Sequence, residues 1–151
     1  MFETITIDRD KRGVATLWLN RPDKHNTLSG EMIADLTKAA QLLGADPAVR
    51  VVILAGRGDS FCAGGDLGWM KAQIAGDAAS RRAGARSLAM MLRALDQMPK
   101  PLIGRVQGPA YGGGVGMMSV CDLTIGVEST SFGLTETKLG LIPATISPYV
   151  I

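Results

Sequence analysis

Twice along this chain a short apolar run passes directly into a glycine-rich loop, and that repetition restricts the possible folds more than any other feature. The first loop, Phe61-Cys62-Ala63-Gly64-Gly65-Asp66-Leu67, follows Val51-Val52-Ile53-Leu54-Ala55. The second, Gly108-Pro109-Ala110-Tyr111-Gly112-Gly113-Gly114-Val115-Gly116, follows Leu102-Ile103-Gly104-Arg105-Val106. Glycine lets the backbone take positive φ and pass close to a ligand. In an open α/β sheet, loops at strand ends are also where ligands bind. Two such loops side by side can aim two backbone N–H groups at one oxygen, which is how an oxyanion hole is built. A plainer function, a tight strand-to-helix turn, suffices for either loop taken alone.

The segments around the loops read as alternating strands and helices. Residues 4–7 alternate polar and apolar, residues 8–13 form a turn, and residues 14–19 alternate again, which predicts a hairpin. A polar loop follows over residues 21–26. Ser29 is placed to cap a helix whose apolar stripe is Met32, Leu36, Ala39 and Leu43, with Gly44 and Pro47 at its end. Residues 50–55 are a buried strand. Beyond the first glycine loop the chain is mostly helical, and Leu88, Met91, Leu92, Leu95 and Met98 recur at helical spacing until Pro99 and Pro101. Residues 75–86, rich in small and charged side chains, are the expected mobile stretch. After the second loop come a short helix over 115–120, a strand over 122–127 and another over 131–134. This order predicts an α/β fold with right-handed crossovers and a largely parallel sheet.

Bulk properties narrow the function by exclusion. With 151 residues the chain builds one domain with a real core, and 46% hydrophobic against 20% charged residues marks it as globular. A net charge of +2 gives no strong field for nucleic acid or an anionic membrane. No apolar run reaches the roughly 18 residues of a membrane span. The first residues lack the features of a secretory signal. Two cysteines, Cys62 and Cys121, are too few for a disulfide framework, so the cytoplasm is the expected compartment. Cys62 lies inside the first loop, either as a reactive thiol or, the reading we prefer, as a small packing residue.

Several chemistries fail on their motifs. Gly108 and Gly113 have the spacing of a P-loop, but Gly114 stands where lysine is required. Met117 occupies the third glycine position of a dinucleotide fingerprint. His25 is the single histidine, no G-x-S-x-G elbow exists, and no His/Cys cluster has metal-ligand spacing, so no metal is expected. An oxyanion hole needs an acid/base beside it. Glu136 stands among apolar and small residues, whose desolvating setting suits a general acid/base; the alternative is a surface carboxylate paired with Lys138 or an unidentified partner. Asp66 and Asp122 read as structural, capping a helix and closing a turn. Lys24 and His25 either reach a phosphate or adenine or belong to a solvated loop.

Taken in order, Asn20-Arg21-Pro22 with Asn26, the Phe61–Leu67 loop, Gly112-Gly113-Gly114, Cys121-Asp122, and Phe132-Gly133 with Glu136, Leu139-Gly140 and Pro143 resemble the crotonase superfamily, also called the enoyl-CoA hydratase/isomerase family. The resemblance covers nearly the whole chain. It implies a spiral of ββα units, with residues 1–151 as a core that binds coenzyme A thioesters. It implies that the N–H groups of Gly65 and Gly113 hold the thioester oxygen and that Glu136 is the catalytic base. It further implies that the CoA moiety runs along Lys24 and His25 and along Ala63, Gly64, Gly65, Asp66, Leu67 and Gly68. No cofactor is expected beyond the CoA carried by the substrate. A homotrimer or dimer of trimers is the expected assembly, and the family's C-terminal trimerisation helices are expected to be absent from this chain.

The pattern departs from the family at one catalytic position. Typical hydratases carry a second glutamate two residues after Gly114, and here that position is Gly116. The runs 112–118, 132–137 and 141–148, with residues 61–70, nevertheless look most like the branch that hydrates branched glutaconyl-type thioesters, including methylglutaconyl-CoA and isohexenylglutaconyl-CoA. The expected activity is therefore enoyl-CoA hydration with Glu136 activating the water. The alternatives are an isomerase working with Glu136 alone and a non-catalytic acyl-CoA-binding module.

Overall fold

The computed structural model describes residues 1–151. Strand β1 (Ile5–Arg9) and strand β2 (Val14–Leu19) pair antiparallel as the expected hairpin, with Ile5 opposite Leu19. Helix α1 (Gly30–Ala45) follows, and the Ser29 side chain accepts the Met32 N–H at its N-terminus. The helix buries Met32, Leu36, Ala39 and Leu43, as its sequence period requires, together with Ile33 and Ala40. It runs through Gly44, where a Cβ would lie 3.0 Å from Pro99 Cδ and 3.3 Å from Met98 Cγ, and stops at Ala45.

Strand β3 (Val51–Gly56) lies parallel to β2. Two helices, α2 (Leu67–Ala75) and α3 (Ala78–Asp96), then cross back. Residues 78–86, within the stretch expected to be mobile, form the first half of α3, and Asp77 caps it by accepting the Ser80 N–H. Strand β4 (Leu102–Val106) lies parallel to β3. The second glycine loop holds a short strand the sequence did not suggest, β5 (Ala110–Tyr111). Helix α4 (Gly113–Ser119) begins two residues before the apolar run that announced it.

Strand β6 (Leu123–Gly126) completes a five-stranded sheet of order β1-β2-β3-β4-β6, parallel except for the first hairpin. Strand β7 (Phe132–Gly133) does not extend that sheet; it pairs parallel with β5 in a second, two-stranded one. A short helix α5 (Ser147–Val150) closes the described chain.

One core joins α1, α3 and the inward side chains of β1–β4: Leu17, Leu36, Leu54, Met91, Leu92 and Leu102 are all buried in it. Burying each such side chain contributes about 1.5–3 kcal/mol. The sheet's other face is less covered, and Leu123 and Ile125 on β6 are 54% and 58% exposed. No helix is long and apolar enough to cross a membrane.

Candidate active site

Short main-chain pairings tie the two glycine loops together. The N–H groups of Phe61 and Cys62 both donate to Pro109 O, at 3.1 and 3.3 Å, and Tyr111 N–H donates to Cys62 O at 3.0 Å. On its other side the first loop is held by Leu28, whose N–H donates to Gly64 O at 2.8 Å and whose carbonyl accepts from Asp66 N–H at 3.0 Å. Gly65 lies between these two bonds, and its own N–H has no main-chain acceptor. Gly113 opens α4, so its N–H has no acceptor within the helix, and no turn or loop carbonyl takes it either. Both glycines line one cleft of about 150 Å³, with Leu28, Trp69, Met70, Leu88, Glu136 and residues 142–146.

Two further glycines make this approach possible. Gly112 has φ +48° and ψ −114°, a conformation that favours glycine, and it turns β5 into α4. A Cβ on Gly114 would collide with the carbonyl oxygen of Cys62, a backbone atom that cannot swing aside. The first turn of α4 therefore rests directly on the first loop.

Glu136 reaches the same place through β7. Tyr111 pairs with Gly133, and Gly112 N–H donates to Gly133 O at 2.9 Å. Three residues later Glu136 begins a 3₁₀ turn, Glu136–Leu139. A Cβ on Gly112 would lie 3.1 Å from its Oε1. The residue is half-buried, and its Oε2 is buried without a hydrogen-bond partner. It forms no ion pair with Lys138 or any other cation. A carboxylate with a free acceptor oxygen, beside two free N–H donors, can take a proton from one atom of a bound molecule and return it to another. No group of three His, Cys, Asp or Glu side chains is placed to hold a metal.

The remaining residues singled out by sequence divide into internal braces and open surface. Lys24 is exposed on a 3₁₀ turn, Pro22–Lys24. His25 has φ +50°, its Nδ1 is 3.0 Å from Ser60 Oγ, and its carbonyl accepts the Ala63 N–H. It thereby anchors the start of the first loop. Gly64 is buried, Ala63 and Gly65 are half-buried, and Leu67 and Gly68 are exposed at the start of α2.

The Asp66 carboxylate is taken up within the protein. Its Oδ1 accepts from the N–H groups of Gly68 and Trp69, and its Oδ2 lies 3.0 Å from Arg21 Nη2 and 3.4 Å from Thr27 Oγ1. The bond from Trp69 N–H, with the Arg21 cation, holds this carboxyl below its ordinary range. Asp122 likewise accepts the Leu102 N–H, at 2.7 Å. Burial pushes the Cys62 thiol up to about 12, so it packs and does not react.

Two supports of the site go beyond the sequence reading: Asn26, which entered it only as part of the family pattern, and Leu28. Asn26 is fully buried with φ +54°; its Oδ1 accepts from Arg21 N–H and its Nδ2 donates to the carbonyls of Arg57 and Ser60. A small polar residue just before a helix cap was the available signal. Leu28 carried none, because its function depends on its main-chain pairing with the distant residues Gly64 and Asp66.

Residues 9–151 match the family described as enoyl-CoA hydratase/isomerase. The chain is 39% identical over 139 residues to the enoyl-CoA hydratase ACTT6 of Alternaria alternata, covering 92% of this chain and 45% of that protein. It is 34% identical over 143 residues to the crotonyl-CoA hydratase of Syntrophomonas wolfei, covering 94% of this chain and 54% of that one. The fold matches the crystal structure of an enoyl-CoA hydratase from Shewanella pealeana with a TM-score of 0.95 and 39% identity, over 99% of this chain and 56% of that one. The chain thus spans about half the length of the curated relatives it matches.

Proposed function

The chain belongs to the enoyl-CoA hydratase/isomerase family and has its crotonase fold, and from that premise we propose that it acts on an unsaturated acyl-CoA thioester, adding water across the 2,3 double bond. The observation that carries the proposal is the meeting, in one cleft, of the unused N–H groups of Gly65 and Gly113 with the unpartnered Oε2 of Glu136. The thioester carbonyl oxygen accepts both N–H groups. Glu136 takes a proton from water, and the hydroxyl bonds to C3. The π pair of the double bond shifts toward the carbonyl, giving an enolate whose charge rests on that oxygen, and Glu136 returns the proton it took to C2, which restores its carboxylate. Fixed donors stabilise the enolate more than the neutral carbonyl, so they lower the barrier and do not merely tighten binding. Each such donor contributes roughly 3–4 kcal/mol in comparable sites.

The CoA part runs past exposed Lys24 and His25 and along residues 63–68. The acyl group is of the branched glutaconyl type, a reading supported by the sequence patterns around α4, Glu136 and residues 141–148. Assembly as a homotrimer or dimer of trimers belongs to the same proposal, and the exposed apolar side chains of Leu123, Ile125 and Phe132 support a covered surface there.

Gly116 supports a single-base mechanism. A Cβ there would sit 2.5 Å from Ile146 Cγ2 and 3.0 Å from Ile146 Cβ, so a second glutamate does not fit without displacing the wall of the cleft. The same observation favours the second reading, an isomerase that moves a double bond with Glu136 alone. Incubation with crotonyl-CoA, 3-methylglutaconyl-CoA and a 3-enoyl-CoA, followed by mass and ultraviolet spectra, separates the two. Gain of one water supports the hydratase, and a shifted alkene at unchanged mass supports the isomerase. Binding of thioesters without turnover overturns both and leaves a binding module.

A further inference from the structure

The cleft beside Glu136 continues outward into a second depression. The two share Trp69, Met70, Leu88 and Thr145, and the outer one, about 260 Å³, adds Gln73, Ile74, Arg81, Ala85 and Leu141. Its wall is mostly apolar, and Arg81 is its one charged residue. Arg81 forms none of the molecule's ion pairs. Its guanidinium has one long hydrogen bond, from Nη1 to Ile74 O at 3.4 Å, which leaves most of its five donors open. The nearest acid in sequence, Asp77, is occupied at the cap of α3, where its Oδ1 accepts the Ser80 N–H.

Gln73 also lines the depression, but its side-chain oxygen is offered to no anion. Its Oε1 fills the notch left by Gly84, where a Cβ would collide with it, and that oxygen is buried without a partner. Arg86, another exposed arginine of α3, lines a different depression beside α1, so Arg81 is set apart by position and not only by charge.

We propose that this outer depression receives the distal end of the acyl chain and that Arg81 selects chains ending in a carboxylate. The proposal rests on the acyl-CoA reading of the inner cleft. A chain whose thioester lies between Gly65 and Gly113 has its tail directed along the shared wall of Trp69, Met70 and Leu88. An apolar passage that ends at an unpaired guanidinium suits a chain with an apolar middle and an anionic end.

Saturated analogues test this without turnover. Full-length protein is titrated calorimetrically with glutaryl-CoA, with valeryl-CoA (the same chain length without the carboxylate) and with free CoA. Wild type is expected to bind glutaryl-CoA about tenfold tighter than valeryl-CoA, the strength of one hydrogen-bonded charge pair. Arg81→Met should bring the two thioesters to within about twofold, with valeryl-CoA and free CoA unchanged, and Arg81→Lys should retain part of the preference. Equal affinities in wild type, or a preference that survives in Arg81→Met, overturn the proposal. Equal weakening of all three ligands, free CoA included, also overturns it and places Arg81 on the CoA phosphates. Turnover that survives Glu136→Gln would sink the mechanism above without touching the tail preference, whereas failure to bind any thioester sinks both.

Discussion

The floor and the outer wall of the cleft are built by opposite means. The floor, where Gly65 and Gly113 lie, is held by main-chain hydrogen bonds among Leu28, Cys62, Gly64, Pro109 and Tyr111, and behind it Gly114, Gly116 and Met117 of α4 are buried. The outer wall, from α2, the first half of α3 and residues 141–145, is held by side chains, and α2 buries no residue at all. Backbone placed this tightly admits little change, and it is where charge must be met by fixed donors. A wall of exposed side chains can vary without disturbing the fold, and under the proposed function it is where one acyl chain would be told from another. On that reading the floor would carry the chemistry and the wall the selectivity.

The sharpest break in that division comes from Glu136, the one side chain of the floor with a free acceptor oxygen. Glu136→Gln keeps the shape and removes the base. Turnover of an accepted enoyl-CoA should fall by a factor on the order of 10³, within the usual range for a general base. Affinity for a saturated acyl-CoA should change by less than about twofold, because the N–H donors and the CoA contacts are untouched. Calorimetry beside steady-state kinetics distinguishes the two effects, and turnover retained in the variant ends the single-base mechanism.

Next in size is a change in the floor's packing. Gly114→Ala sets a Cβ against the carbonyl oxygen of Cys62, which cannot rotate away, and should cost about 1–3 kcal/mol. Gly65→Ala meets only the end of Met70, with Sδ 2.9 Å from the new Cβ, and that flexible side chain can move. Urea midpoints should therefore fall clearly for the first variant and little for the second. Equal losses would show that the two loops are not distinguished by what they rest on.

How far the sequence reveals this division follows from the range over which each signal acts. The strand and helix series was legible because its causes are local: alternation in β2, the stripe of α1 from Met32 to Leu43, the Ser29 cap. The glycine loops were legible as tight turns because φ restrictions are local too, and Gly64 and Gly112 do take positive φ. Strand β5 was not, since Ala110 and Tyr111 are a strand only by virtue of β7, some twenty residues on. Residues 78–86 gave a weaker signal, being rich in small and charged side chains, and Asp77 at their start is what caps them as helix. The partners of Glu136 were half legible. The sequence offered Lys138 as a salt-bridge partner, and the fold turned the carboxylate toward Gly112 instead.

The smallest effect concerns the hinge between floor and wall, where Asp66 ends the first loop and begins α2. Asp66→Ala removes a cap that accepts two N–H groups and an ion pair with Arg21, and should cost about 1–2 kcal/mol. Asp66→Asn can still cap, and should lose less. Acidity supplies the check on cause. The folded carboxyl lies below its ordinary range, held there first by the bond from Trp69 N–H and then by Arg21. A depressed folded value means that the stabilisation is complete above the ordinary carboxylate range and drains away as the pH falls through the folded value. The gap in urea midpoint between wild type and Asp66→Asn should thus be widest near neutrality and close toward strong acid. A gap independent of pH would show that Asp66 holds the hinge by shape, leaving its charge without a part in joining the two halves of the cleft.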